Sequence, residues 1–150
     1  MKRIIFVVVL LFTVIINGQN NSYQPEREKI NDLVHTKLKV DFNFEKSQLN
    51  GEAWVTLTPH FYSTKKVVLD AKSFKVIEVK VNDVTAGFNY SDNEITVDLD
   101  RTYKKGEAYT VYIKYIAKPE EVSQQGSSVI TDAKGLYFID PKEEDPEKPT

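Results

Sequence analysis

The side chains best suited to acid-base or metal chemistry are few in this chain. Its 150 residues include two histidines, His35 and His60, and no cysteine. Catalytic zinc usually takes three protein ligands that include histidine, so two separated imidazoles do not predict such a site. The lack of cysteine also excludes disulfides, thiolate catalysis and cysteine-bound zinc. We expect His35 to be a structural hydrogen-bonding residue on the polar face of a strand, and His60 to be a surface loop residue.

The acidic residues near the carboxyl end are a second candidate site. Glu143, Glu144 and Asp145 carry the carboxylates that calcium binding or acid-base chemistry needs. Consecutive carboxylates in a proline-rich segment diverge, however, and they lack the glycine-containing loop that orients calcium ligands. Solvated charge is the prediction there. No serine stands in a pattern with His and Asp, and no glycine-rich phosphate loop is present, so we assign no catalytic, cofactor-binding or metal-binding residue to this chain.

Three tyrosines close together suggest a platform that stacks on sugar rings. Tyr109, Tyr112 and Tyr115 lie in one stretch of alternating residues. Because side chains of a strand point to opposite faces in turn, Tyr109 and Tyr115 share a face, and the pattern assigns that face to the inside. The sequence therefore predicts core packing for these two rings, with sugar stacking as the alternative.

The residues between 34 and 44 alternate with a period of two over eleven positions. Such a period is typical of an antiparallel strand with one wet face, and it places Leu38 inward and Lys39 outward. The same criterion predicts strands at residues 52–58, 66–70, 74–81, 88–90, 94–99 and 108–117. No convincing helical period follows residue 18. The predicted fold class is all-β, a mainly antiparallel sheet or sandwich.

Turn residues separate these strands. Leu49-Asn50-Gly51 predicts a tight turn between the first two, because Asn and Gly tolerate positive φ angles. Pro59 is expected to end the second strand or to put it at a sheet edge, since proline cannot donate to a ladder. Asn82-Asp83 marks a later turn.

The amino end has the three parts of a secretory signal. Lys2 and Arg3 supply charge, residues 4–16 are an apolar run, and Asn17-Gly18 offers a cleavage site. The run is shorter than the roughly 20 residues of a membrane-spanning anchor. We expect residues 1–18 to be removed and the protein to be exported, to the periplasm or beyond. Loss of the two basic residues takes the net charge from -2 to about -4, which argues against nucleic acid as a partner.

The expected organisation has four parts. After the signal, residues 19–29 are polar and form a flexible lead-in, residues 30–118 form the β domain, and residues 119–150 form a loop and a tail rich in proline and acid. Without the signal, one domain of this length buries about two-thirds of its unfolded surface, so no second core is needed.

Several pieces of residues 32–138 resemble, in order and spacing, the N-terminal domain of the M1 family of zinc metallopeptidases, the aminopeptidase N type, in its bacterial exported form. They are His35-Thr36-Lys37-Leu38-Lys39-Val40, Leu49-Asn50-Gly51, Leu69-Asp70, Val79-Lys80-Val81-Asn82, Gly106-Glu107-Ala108-Tyr109, Ile113-Lys114-Tyr115 and Gly135-Leu136-Tyr137. Thr36 departs from the pattern, since an aromatic residue is usual there.

The resemblance implies a saddle-shaped sheet that packs against a thermolysin-like catalytic domain. In the family this domain also contributes a Gln or Glu near the substrate's amino group, and no residue here matches it. The Gly-x-Met-Glu-Asn loop and the His-Glu-x-x-His helix are absent from these 150 residues. We therefore expect an aminopeptidase fragment: the full-length enzyme would hold zinc and act on peptides, and this chain alone would do neither. The alternative is a free-standing secreted β-sandwich that binds carbohydrate or protein.

Overall fold

The computed structural model describes residues 28–91, 93–121, 135–142, 144–145 and 147. Eight strands follow one another: β1 Asn31–Asn43, β2 Gln48–Pro59, β3 Thr64–Asp70, β4 Phe74–Val81, β5 Val84–Thr85, β6 Phe88–Ser91, β7 Glu94–Tyr103 and β8 Tyr109–Ala117. A 3-10 turn, Pro119–Glu121, comes after β8. The all-β prediction is confirmed. The predicted signal, most of the lead-in and much of the tail lie outside the described residues.

The strands form two antiparallel sheets. A five-stranded sheet has the order β1-β2-β8-β4-β5, and a three-stranded sheet has the order β3-β7-β6. Each predicted strand has a counterpart, and β5, only two residues long, is the one that the sequence did not predict. Pro59 is the last residue of β2, as expected.

The core lies where the inner faces of the two sheets meet. Ala53, Ile113 and Val79 stand side by side across β2, β8 and β4, and all three are buried. Ile95 and Val97 of β7 are fully buried against them. Alternate residues of β7 and β8 belong to this core, as the two-residue period of these predicted strands requires, and the inward face predicted for Tyr109 and Tyr115 is confirmed.

β1 departs from its prediction. Leu38 pairs with Ala53, so it lies on the core face of the sheet, yet 59% of it is exposed. The buried cluster takes residues from β2, β3, β4, β7 and β8 but none from β1, because the smaller sheet does not extend over this edge strand. The period gave the correct face for Leu38, and the expectation that it is buried is wrong.

The turn predicted at Asn50-Gly51 is also wrong. Both residues lie inside β2, and the chain reverses instead between Phe44 and Ser47. Ser47 donates its backbone N–H to the Phe44 carbonyl at 3.0 Å and adopts a φ of 48°. The Asn43 side chain accepts the Lys46 N–H at 2.9 Å, an arrangement in which asparagine stabilises a turn.

Position 51 of β2 requires a glycine because the Tyr115 ring occupies the space that a side chain at this position would take. A Cβ atom built on Gly51 would lie 2.3 Å from Cζ of Tyr115 on the neighbouring strand β8. The Tyr115 ring cannot easily withdraw, since it is 9% exposed and stacks on Phe74 with a centroid distance of 4.3 Å. Close approach to Tyr115, and not turn formation, therefore explains this glycine.

Gly51→Ala should destabilise the domain by about 1–3 kcal/mol, the usual cost of overpacking a core. The matched control is Gly87→Ala, because a Cβ there would meet nothing closer than 3.5 Å and φ is not positive. This control should change stability by less than about 0.5 kcal/mol. Urea unfolding of both variants measures the difference. Equal midpoints would mean that the Tyr115 ring moves aside freely.

Candidate functional site

His60 forms the closest pairing of ionisable side chains that includes an imidazole. Its Nδ1 lies 2.6 Å from Oδ2 of Asp32, and Lys29 Nζ lies 2.7 Å from the other oxygen of the same carboxylate. The backbone brings them together, because Asn31 pairs with Pro59 and His60 donates its N–H to the Ile30 carbonyl at 2.9 Å. His60 lies just past the end of β2, so its predicted loop position is confirmed, but its ring is half-buried and bonded to Asp32.

Among Lys29, Asp32 and His60, the carboxyl group of Asp32 has a shifted pKa. Hydrogen bonds from Lys29 and then His60 lower the pKa of Asp32 and keep it ionised. An imidazole oriented by a carboxylate supplies two of the three side chains of a hydrolytic triad. The same two side chains could also serve as metal ligands. Within the described residues, however, no three potential ligands come together. What the contacts support is a clamp that holds the start of β1 to the end of β2.

His35 lies on the opposite face of the five-stranded sheet from the core, here called the outer face. It pairs with Thr56 across β1 and β2 and is exposed. The predicted polar face is confirmed. Among the described residues no hydrogen bond to its ring is found, so the hydrogen-bonded histidine is His60 and not His35.

A row of alternating cations and rings crosses the outer face, here called the aromatic ladder. Lys37 Nζ lies 4.8 Å from the ring centroid of Trp54, Trp54 lies 5.1 Å from Tyr112, and Lys80 Nζ lies 5.3 Å from Tyr112. These residues are neighbours on successive strands β1, β2, β8 and β4. Cation-π contacts at such sites contribute about 0.5–1 kcal/mol each.

Carboxylates complete the ladder. Tyr112 donates its hydroxyl to Glu52 at 3.1 Å, which lowers the pKa of Glu52, while burial and then this bond raise the pKa of Tyr112. Lys80 lies 2.9 Å from Glu78. One lysine lies over the Trp54 ring and another over the Tyr112 ring, so these rings already make contacts within the sheet. The geometry of the ladder favours strand cohesion over carbohydrate stacking.

The other tyrosines of β8 are core residues, as predicted. Tyr109 is 1% exposed and Tyr115 is 9% exposed. Burial raises the pKa of Tyr109 to about 12, and its hydroxyl donates to Asn31 Oδ1 at 2.8 Å. Neither ring is available to a ligand.

The acidic tail forms a turn. Asp140 accepts the backbone N–H of Glu144 at 3.1 Å and that of Asp145 at 2.8 Å. Glu144 is exposed, as expected for solvated charge, and Glu143 lies outside the described residues. The Asp140 carboxylate binds backbone groups, and among the described residues of the segment no three carboxylates come together as metal ligands.

Sequence reasoning missed Asp32 and the ladder residues Lys37, Trp54 and Lys80. A signal for the ladder existed, because each of these side chains alternates onto the polar face of a predicted strand. Their contacts depend on the order of strands in the sheet, which alternation does not give. The contact of Asp32 with His60 depends on the register of β1 against β2.

Comparisons with known proteins agree on one family. A family model described as the peptidase M1 N-terminal domain matches residues 21–138. Among curated protein sequences none matches the chain significantly.

No helix within the described residues is long and apolar enough to cross a membrane.

Similar folds occur among solved M1 structures. The M1 zinc metallopeptidase from Deinococcus radiodurans is 19% identical, with a TM-score of 0.57 over 61% of this chain and 21% of that one. A two-domain M1 zinc metallopeptidase mutant bound to L-arginine is 19% identical, with a TM-score of 0.60 over 69% of this chain and 24% of that one. Yeast LTA4 hydrolase in complex with bestatin is 18% identical, with a TM-score of 0.53 over 73% of this chain and 18% of that one. These likenesses show the fold, and this chain spans about a quarter or less of each structure.

The Asp32 clamp predicts a stability that depends on pH. Because folding lowers the pKa of this carboxyl, its contribution is present above the unfolded pKa of about 3.9 and is lost as the pH falls through the folded value. Asp32→Asn should therefore lower the Tm near neutral pH and make less difference below about pH 4. Thermal unfolding followed by circular dichroism across this range tests it. A deficit of the same size at both ends would contradict the clamp.

Proposed function

The chain belongs to the peptidase M1 N-terminal domain family, and on this premise we propose that it is the β domain of an exported, zinc-dependent aminopeptidase. The enzyme would remove N-terminal residues from peptides. The observation that carries the proposal is the family match over residues 21–138, which extends from before β1 to beyond β8. Two of the similar solved structures are themselves described as M1 zinc metallopeptidases.

The zinc of this proposal would be held by residues outside this chain. Bound zinc polarises a carbonyl group and lowers the pKa of a water molecule. The described residues do not fit such a metal, because His60 has the Asp32 carboxylate beside it but no third ligand within reach. We therefore assign no catalytic step to this chain. Its part in the enzyme is to form a rigid sheet scaffold against which the rest of the protein packs.

Export is part of the proposal. It is supported by Lys2 and Arg3 ahead of an apolar run and by the small residue Gly18 at its end. Cleavage after Gly18 would make Gln19 the first residue of the mature protein. N-terminal sequencing of protein recovered from the exported fraction tests this. A mature chain that begins at Met1, or retention in the cytoplasm, would overturn it.

Metal and activity measurements test the catalytic part of the proposal. The 150-residue chain should retain no stoichiometric zinc after dialysis and should not hydrolyse a fluorogenic aminoacyl substrate. A longer product of the same gene that includes a His-Glu-x-x-His helix should do both. Absence of such a helix from the reading frame would favour the secreted binding module instead.

A control variant addresses an active site within the chain itself. His60→Ala removes the imidazole that has a carboxylate partner, and His35→Ala removes the exposed one. Zinc-dependent turnover by the 150-residue chain, abolished by either change, would show that catalysis resides in these residues. The proposed division of labour would then fail.

A further inference from the structure

β1 has a long free edge. It spans 13 residues and pairs with β2 on one side, while on its other side no strand of the described residues pairs with it. At the opposite edge of the same sheet β5, only two residues long, pairs with Lys80 and Val81 of β4, and no other strand of the described residues pairs with that side of β4. Short edge strands limit unwanted pairing, whereas a long edge leaves a row of N–H and C=O groups that match an incoming strand.

The same strand carries an uncovered apolar face. Leu38, Val40 and Phe42 point to the core side of the sheet, since they pair with Ala53, Gly51 and Leu49. They are 59%, 42% and 45% exposed. A strand added at the edge of β1 would place its own side chains beside these three and extend the buried core by one strand.

The carboxyl-terminal part of the chain already lies at one end of this face. Phe138 makes edge contacts with Phe42 at a centroid distance of 6.4 Å and with Phe44 at 5.6 Å. Polypeptide that comes after residue 138 therefore leaves from beside the free edge. The edge is within reach of such a segment without any rearrangement of the sheets.

The polar face of β1 defines the chemistry of the added strand. Lys37 and Lys39 stand two positions apart on that face, Lys37 against the Trp54 ring and Lys39 at a long 3.5 Å from Glu52, and Asp41 follows them on the same face. Opposite charges on directly paired residues stabilise a sheet and like charges destabilise it. A strand with carboxylates opposite these lysines and apolar residues on the other face fits the edge.

A second copy of β1 fits less well. Twofold antiparallel pairing centred on Leu38 sets Lys37 of one copy against Lys39 of the other, and pairing centred on either lysine sets that residue against itself. Pairing centred on Val40 avoids the conflict and sets Lys39 against Asp41, but it uses only residues 37–43 of the 13-residue edge.

We propose that the free edge of β1 takes up a strand of alternating apolar and acidic residues supplied by the rest of the enzyme's polypeptide. The added strand would pair with the backbone of β1 and cover Leu38, Val40 and Phe42. This inference rests on the proposed function, because it requires that the domain work inside a larger M1 peptidase. It goes further by naming the element of this chain that receives the remainder of the protein.

Amide hydrogen exchange in two forms of the protein tests the inference. In the 150-residue chain, the amides of β1 that do not bond to β2 should exchange freely. In the longer gene product those amides should exchange at least tenfold more slowly, while amides of β7 in the core should change little. Active longer product with unchanged exchange at β1 would overturn this inference and leave the proposed function standing. Longer product that lacks turnover would overturn the proposed function itself.

A peptide probe tests the chemistry on the 150-residue chain. A nine-residue peptide of Val and Leu alternating with Glu should bind at least tenfold more tightly than the same peptide with Lys in place of Glu. The double variant Lys37→Glu, Lys39→Glu should reverse this preference, and Leu38→Asp should weaken both. Leu38 is mostly exposed, so this variant should still fold. Equal binding of both peptides, no binding, slowed amides away from β1, or dimerisation through β1 would each contradict the proposal.

Discussion

The burial of one sheet face against another governs this structure, and the two sheets are unequal in width. The three-stranded sheet supplies Val67, Ile95 and Val97, which are almost entirely buried on the inner face of the larger sheet. Apolar burial stabilises by roughly 25 cal/mol per Å², so most of the folding free energy comes from this overlap. β1 lies beyond it. The same mismatch that builds the core therefore leaves one apolar strand face open.

Polar contacts hold the parts that the core does not cover. Tyr109 extends from the core to Asn31 at the start of β1, and Tyr103 donates to Asp100 at 2.8 Å while it accepts from Asn82 at 2.6 Å. Asn82 has a φ of 47°, and its side-chain oxygen accepts the Thr110 N–H, so the turn after β4 is tied to β8. These bonds from buried tyrosines, together with the Asp32 clamp, fix β1 and the turns in place despite their exposure.

The two faces of β1 separate apolar contact from charge. Its inner face presents Leu38, Val40 and Phe42, and its outer face presents Lys37, which lies over the Trp54 ring, and Lys39, which lies near Glu52. A long edge with this division suits association with another polypeptide better than it suits catalysis.

The sequence by itself determined the strands and their facing, because side-chain alternation is a local property of each strand. It correctly placed Tyr109 and Tyr115 inward and His35 outward. The order and spacing of short motifs was also enough to indicate the family, which the match over residues 21–138 establishes.

Only the tertiary structure decided what covers each face and which distant residues meet. Leu38 has the period of a core residue but lies outside the overlap of the sheets, and Gly51 looks like a turn residue but makes room for Tyr115. His60 and Asp32 lie 28 positions apart in the chain, and their contact depends on the register of β1 against β2. Burial, close approach and register are all set by contacts between strands, and alternation within one strand carries no information about its neighbours.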